Sequence, residues 1–229
     1  AASDVYKRQL PGQTIESYED TLSKVLALEP EHISAYSLIL EEGTVFYDWY
    51  EKGKLDRGAW KLPSEEEEYA MGELTILRLA EAGMHRYEIS NYAKPGFTCR
   101  HNIGYWKRTD YLGFGPSAAS LFGNRRWTNT ADRSLYLKAC GALEKIREDE
   151  EILSRQDAME EFMFLGLRMT QGISTAEFEE KFGKEIHAVY GGVLKKYEAM
   201  HLLQEHSGRL ALTRDGISVS NVILADFLL

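Results

Sequence analysis

The densest group of chemically capable side chains in this 229-residue chain lies between residues 89 and 106. Within it, Arg100 precedes His101, and Tyr105 and Trp106 follow one helical turn later. A neutral imidazole nitrogen is a good axial ligand for haem iron, and nearby aromatic rings can pack on a porphyrin face. Arg100 could pair with a propionate carboxylate. Residue types alone leave two interpretations open, because a histidine beside aromatic rings is more often a hydrogen-bonded structural residue.

Alternating helical and strand patterns precede this segment. Thr14 can cap a first helix that Pro30 ends, and Ser64 with Glu67 forms a capping box for a second helix. An apolar, strand-like run follows each helix, and such alternation indicates βα units and a parallel sheet. The two strands are predicted over residues 32–40 and 86–90.

The pattern changes twice towards the C-terminus. Residues 92–130 are rich in glycine and aromatic side chains, and a charged helix is predicted from Ser134 to about Glu151. Beyond it, helical patterns precede a hairpin around His206-Ser207-Gly208, and helices followed by a two-stranded wing are typical of a winged-helix-like module. The helices are predicted over residues 156–168, 174–182, 187–200 and 213–229.

Charge argues against nucleic acid as the main partner. The chain carries 27 Lys and Arg against 36 Asp and Glu, a formal charge of −9. Residues 156–229 contain seven Lys or Arg against eleven Asp or Glu, whereas phosphate binding needs a basic face. A packing or interaction role is therefore expected for the winged-helix-like module.

The distribution of apolar residues and cysteines argues against a membrane-spanning protein, a secreted protein and a self-contained metal site. No run approaches the roughly 20 apolar residues of a membrane-spanning helix. Residues 1–9 lack the apolar core of a secretory signal, so we expect a cytoplasmic protein. Cys99 and Cys140 share no metal-ligand spacing, which argues against a self-contained zinc or iron–sulfur site.

Several longer motifs in the sequence are distinctive enough to indicate a protein family. The central one is His101-Asn102-x-x-Tyr105-Trp106, and it resembles the signature of HemW-type proteins within the coproporphyrinogen oxidase-like group of the radical S-adenosylmethionine (SAM) superfamily. The resemblance covers nearly all of residues 10–229. Further matches are Leu10-Pro11-Gly12-Gln13-Thr14, Ser34-Ala35-Tyr36-Ser37-Leu38, Asp110-Tyr111-Leu112-Gly113-Phe114-Gly115-Pro116 and Phe164-Leu165-Gly166-Leu167-Arg168.

This resemblance implies an α/β fold: the C-terminal part of a radical SAM (β/α) barrel over residues 10–149, then a winged-helix-like, HemN C-terminal-like domain over 150–229. It implies haem as the bound group and apo-haemoproteins as acceptors, with a [4Fe–4S] cluster and SAM in the full-length protein. No catalytic residue is assigned. The haem-binding set is His101, as the iron ligand, with Asn102, Tyr105, Trp106 and Arg100.

The sequence departs from the family on its N-terminal side and again at residues 117–120. It has no Cys-x-x-x-Cys-x-x-Cys loop for a cluster, so we expect a fragment that lacks enzymatic activity. Residues 1–9 do not match the family, with Val5 where an acidic residue is expected, which predicts a non-native leader. Ser117-Ala118-Ala119-Ser120 replaces a Gly-Ala-His-Ser-like segment, and this leaves His101 as the best placed histidine.

Three functions therefore compete. The first is haem binding and transfer, and the second is radical-mediated oxidative decarboxylation of coproporphyrinogen III. The third is a winged-helix nucleic-acid module, which the acidic balance opposes. True oxidases do not resemble this chain at residues 101–106, and this favours haem binding, although the motif could instead be structural and brace the open edge of the barrel.

Overall fold

The computed structural model describes residues 3–139 and 141–229. They form two compact units, which divide between Cys99 and Arg100. The sequence predicts a domain boundary near residue 150, where one sequence pattern gives way to another. That boundary stays a prediction.

The N-terminal unit is built on a four-stranded sheet of order β1-β2-β4-β3. β1 and β2 are parallel and in register from Ser3 opposite His32 to Arg8 opposite Ser37, whereas β4 is antiparallel to both β2 and β3. The elements of this unit are β1 (Ser3–Arg8), α1 (Ile15–Leu26), β2 (His32–Ser37), α2 (Val45–Glu51), a 3-10 turn (Gly58–Trp60), α3 (Glu65–Glu81), β3 (His85–Arg86) and β4 (Asn91–Ala93).

The expected parallel arrangement is correct for β1 and β2 only. The predicted strand over residues 86–90 is wrong, because these residues mostly form the turn between β3 and β4. There the Glu88 carboxylate accepts a hydrogen bond from the Ser90 backbone N–H at 2.7 Å. A turn this short forces the chain to reverse, so β4 must run antiparallel to β3.

The two predicted helix caps of this unit are confirmed. Thr14 caps α1 and Ser64 caps α3, each within a reciprocal capping box. The helices bury their apolar stripes, and the Tyr18 hydroxyl meets the Thr75 hydroxyl at 2.7 Å between them. The leader predicted over residues 1–9 includes β1, and residues 1 and 2 lie outside the described residues; its non-native origin stays a prediction.

The first part of the C-terminal unit contains an antiparallel sheet of order β5-β6-β7. The predicted charged helix is wrong beyond Lys138, since a 3-10 turn and then a strand occupy its second half. Gly141 has a φ of 94°, which ends helical geometry, and Arg125 pairs with Glu150 across the strands at 2.8 Å. The elements are α4 (Arg100–Trp106), β5 (Ala119–Phe122), β6 (Arg125–Asn129), α5 (Arg133–Lys138), a 3-10 turn (Leu143–Ile146) and β7 (Arg147–Ile152).

The last part combines helices with a three-stranded sheet of order β8-β10-β9. The predicted hairpin is confirmed as β9 and β10, and β8 extends this wing by one strand. The predicted last helix is divided at Val219, whose ψ of 22° interrupts it. The elements are α6 (Arg155–Gly166), β8 (Ile173–Ser174), α7 (Thr175–Phe182), α8 (Ile186–Ala199), β9 (Leu203–His206), β10 (Arg209–Leu212), α9 (Arg214–Ser218) and α10 (Ser220–Ala225).

One large apolar core supports this part of the chain. Phe178 and Tyr190 lie at its centre, where each is almost completely buried and their rings pack edge to face. α6 contributes Phe162 and Met163 to the same core, so the helix that carries them is held rigidly in place.

Candidate functional site

The predicted site residues lie on the short helix α4. The helix ends in a tight reversal, where the Thr109 N–H donates to the Gly104 carbonyl at 2.8 Å and Arg108 adopts a left-handed φ of 53°. This is the usual way in which a helix C-terminus satisfies its last carbonyl groups. The termination fixes where the side chains of α4 point.

His101 and Tyr105 lie on one exposed face of α4. Their ring centroids are 4.6 Å apart, with the planes at 76°, and Tyr105 makes a similar edge-to-face contact with Tyr111 at 4.7 Å. Tyr111 is fixed in turn by paired backbone hydrogen bonds with Leu121 at the edge of β5. The imidazole therefore stands at the outer end of a row of three rings.

The His101 imidazole makes no hydrogen bond or ion pair with any residue that the structure describes. Arg100 is likewise exposed and Asn102 half-buried, and neither side chain has a polar partner within the described ranges. Tyr111, at the inner end of the row, is half-buried, and burial raises the pKa of its phenol. The row therefore runs from a partly desolvated phenol to an imidazole that is open to solvent.

Trp106 lies on a different face, and the structure separates it from the other motif residues. Its ring is covered by the Arg168 guanidinium, 4.5 Å from the ring centroid, and its indole Nε1 is buried without a hydrogen-bond partner among the described residues. Its backbone carbonyl lies beside Gly166 at the end of α6. Trp106 thus joins α4 to the rigid helix below it.

A buried carboxylate holds the chain just after α4. Glu161 is 6% exposed, and its two oxygens accept hydrogen bonds from Arg108, at 2.6 Å, and from Arg126 on β6. This group of three residues was not predicted from the sequence. The signal was present, since Glu161 interrupts the apolar stripe of α6 between Met159 and Phe162.

The glycine-rich loop before β5 is held by side chains of the neighbouring strands. The Asn129 amide donates to the carbonyls of Gly113 and Gly115 at 3.1 and 3.0 Å, and the Gly113 N–H donates to the buried Ser120 hydroxyl at 2.9 Å. A Cβ on Gly113 would collide with the backbone of Ala119. Glycine at position 113 therefore allows the loop backbone to pass close to the backbone of Ala119.

The other histidines occupy the structural or solvated positions expected of them. His32 is 6% exposed, its Nε2 lies 2.9 Å from the Tyr87 hydroxyl, and burial lowers the pKa of its imidazole. His187 lies 3.0 Å from Glu205 on the surface. The remaining three are exposed: His85, His201 and His206.

The part of the chain that the structure describes meets the requirements of neither a metal cluster nor a membrane-crossing helix. Within residues 3–139 and 141–229, no three or more His, Cys, Asp or Glu side chains are arranged to hold a metal ion. Over the same ranges, no helix is both long and apolar enough to cross a membrane.

Comparison with known proteins identifies relatives across the chain. The HemN C-terminal domain family matches residues 153–219. The chain is 36% identical over 219 residues to the heme chaperone HemW of Bacillus subtilis, and 37% identical over 220 residues to that of Lactococcus lactis. Each alignment covers 96% of this chain and 56% of the relative, so the chain spans about half the length of these relatives.

A solved structure agrees on the fold. The chain matches the coproporphyrinogen III oxidase HemN of Escherichia coli, described as a radical SAM enzyme, with a TM-score of 0.76. The match covers 99% of this chain and 54% of the enzyme at 18% identity, which establishes similarity of fold alone. By sequence, therefore, the chain belongs with the HemW-type proteins, and its residues 153–219 match the HemN C-terminal domain family.

Proposed function

We propose that this chain is part of a protein that binds haem and transfers it to apo-haemoproteins, with a nitrogen of His101 as the iron ligand. The observation that carries the proposal is an exposed imidazole, without a polar partner among the described residues, that is oriented by Tyr105. The relatives that share its sequence are named heme chaperones.

A structural histidine is expected to look different. His32 shows the pattern, since it is buried and lies within hydrogen-bond distance of Tyr87. His101 has neither property, so both of its ring nitrogens are available to an iron or to water. An imidazole that ligates iron needs such an available ring nitrogen.

The neighbouring side chains have separate tasks in this proposal. Tyr105 holds the imidazole edge and offers an apolar ring to the macrocycle. Arg100, exposed and without an ion pair in the described structure, would bind a propionate. Asn102 stays a predicted contact, and Trp106, which lies under Arg168, acts by anchoring α4.

The chain does not fit a radical SAM cluster site. Such a cluster needs three closely spaced cysteine thiolates, and the sequence contains only Cys99 and Cys140. We therefore propose that a cluster and SAM belong to the full-length protein. An oxidase activity gains no support from the fold, since the likeness to the Escherichia coli enzyme shows fold alone. Cytoplasmic location stays a prediction.

A haemin titration followed by Soret absorbance tests the proposal. We expect saturable binding to the 229-residue chain, weakened about tenfold or more in His101→Ala, the equivalent of at least about 1.4 kcal/mol. His206→Ala, at an exposed hairpin position, is the matched control and should bind as the parent does. Equal affinity in all three proteins would remove His101 from the proposal.

A further inference from the structure

Two members of the row of three rings, His101 and Tyr105, belong to α4, whereas Tyr111 comes from the segment after it. Residues four apart meet on one helical face, so His101 and Tyr105 form a local pair. Tyr111 reaches this pair from outside the helix, and its ring centroid lies 4.7 Å from that of Tyr105. The support of the imidazole therefore does not come from α4 alone.

The backbone of Tyr111 is fixed to the hairpin of β5 and β6. Its N–H donates to the Leu121 carbonyl at 2.7 Å, and its carbonyl accepts from the Leu121 N–H at 3.0 Å. Leu121 is buried. The neighbouring Asp110 carboxylate accepts a hydrogen bond from the Gly123 N–H at 3.1 Å. Tyr111 thus has an anchor in the sheet that is independent of α4.

Tyr105 lies between the imidazole and this anchor. Its ring is exposed, and its two ring contacts within the described structure are those with His101 and Tyr111. The ring planes meet at 76° and 84°, which is the edge-to-face arrangement that aromatic side chains favour. Without Tyr111, one of the two contacts is lost, and Tyr105 is free to change rotamer.

An exposed imidazole without a hydrogen-bond partner gains most from such support. His101 has no polar partner in the part of the chain that the structure describes, so the contact with Tyr105 is what limits rotation of its ring. Fixing a rotating side chain on binding costs conformational entropy, and pre-organisation removes part of that cost. A fixed imidazole is therefore a better ligand than the same imidazole on an otherwise bare helix.

We infer that Tyr111 is a positioning residue for iron ligation: through Tyr105 it fixes the orientation of the His101 imidazole before haem binds. The inference rests on the proposed function. The Tyr111 ring makes the contact with Tyr105, and its phenol stays neutral at physiological pH because burial raises its pKa. Phenylalanine at position 111 should therefore act as tyrosine does, whereas leucine, which has no aromatic ring, should not.

The mobility of the His101 ring tests this inference without haem. In a ¹³C-labelled chain, relaxation of the imidazole Cε1–H groups gives an order parameter for each ring, and that of His101 can be assigned with His101→Ala. We expect the His101 ring to be more ordered than that of His206, an exposed histidine without a ring contact among the described residues. In Tyr111→Leu the His101 value should fall to that of His206, whereas Tyr111→Phe should keep the parental value.

Haemin binding supplies the functional readout. Tyr111→Leu should weaken binding about two- to tenfold, the range expected for the loss of one aromatic contact, and Tyr111→Phe should bind as the parent does. The electron paramagnetic resonance spectrum of the ferric complex should broaden in Tyr111→Leu, because the g-values of low-spin ferric haem depend on the orientation of the axial imidazole plane. A merely structural role would lower the urea midpoint of unfolding without broadening this spectrum.

Two results would overturn the inference. The first is a His101 ring as mobile as that of His206 in the parent chain, a measurement that needs no variant. The second is a His101 order parameter that is unchanged in folded Tyr111→Leu. Haemin binding that still depends on His101 would then leave the proposed function standing. Ring order that depends on Tyr111, combined with haemin binding that is independent of His101, would instead remove the proposed function and the ligation role with it.

Discussion

At the scale of single residues, burial decides what each imidazole of this chain can do. His32 lies inside the N-terminal unit beside the Tyr87 hydroxyl, and desolvation lowers the pKa of its imidazole. His101 is exposed on α4 and makes its one ring contact with Tyr105 among the described residues. Burial therefore favours the neutral form of His32, whereas His101 stays exposed to solvent.

A pH dependence of stability follows for His32. Because its folded-state pKa is lowered, its contribution is present above the unfolded value of about 6.5 and is lost as the pH falls. We expect the free energy of unfolding, from urea titrations, to decrease from about pH 7.5 to about pH 5.5 by more in the parent than in His32→Gln. His206→Gln should keep the parental slope, and identical slopes in all three proteins would contradict this assignment.

Sequence could identify the motif residues but not their division between two faces. The spacing of His101 and Tyr105 places them on one face, since residues four apart meet on a helix. That the Arg168 guanidinium covers the Trp106 ring could not be predicted from spacing, because Arg168 lies 62 residues further along the chain. For the same reason the partners of Glu161 could not be predicted.

At the scale of elements, the Glu161 carboxylate joins the end of α4 to β6 and α6. Glu161→Gln removes the charge that compensates Arg108, whose side chain is 14% exposed. Breaking a buried pair costs about 3–5 kcal/mol; we expect about 2–3 kcal/mol here because Arg126, at 37% exposed, is partly compensated by water.

Urea unfolding followed by tryptophan fluorescence measures this cost. Glu148→Gln, on the exposed edge strand β7, removes a carboxylate without an ion pair in the described structure and should cost little. If the two variants were equally stable, Glu161 would not be holding the elements together.

The cap of α6 supplies a smaller test. Ser154 accepts a hydrogen bond from the Asp157 N–H, and Asp157 accepts one from the Ser154 N–H at 2.7 Å. Ser154→Ala should lower the free energy of unfolding by about 1 kcal/mol, whereas Ser154→Thr retains a capping hydroxyl and should lose much less. Equal losses in thermal or urea unfolding would show that the cap has no such role.

Patterns of neighbouring residues correctly predicted several helix caps and one hairpin. The caps at Thr14, Ser64 and Ser174 and the hairpin at residues 203–212 all follow from neighbouring residues. The second half of the predicted charged helix failed because pairing with β6, a distant segment, determines that β7 is a strand. Tertiary pairing overrides local propensity in such a segment.

At the scale of the whole molecule, the acidic charge opposes binding to nucleic acid. With a formal charge of −9, the chain should not bind a labelled DNA duplex at physiological salt. Fluorescence anisotropy should remain flat through the titration. Binding that weakens steeply with added salt would contradict the prediction and favour a nucleic-acid function.

The most direct test of the account is spectroscopic and asks whether His101 supplies a nitrogen to iron. Ferric haem bound to the chain should show a histidine-ligated absorption and electron paramagnetic resonance spectrum, which is lost in the His101→Ala complex. Added imidazole should restore that spectrum in His101→Ala, because the free base replaces the missing side chain. An unchanged spectrum in the variant would show that iron is ligated elsewhere and would contradict the central claim.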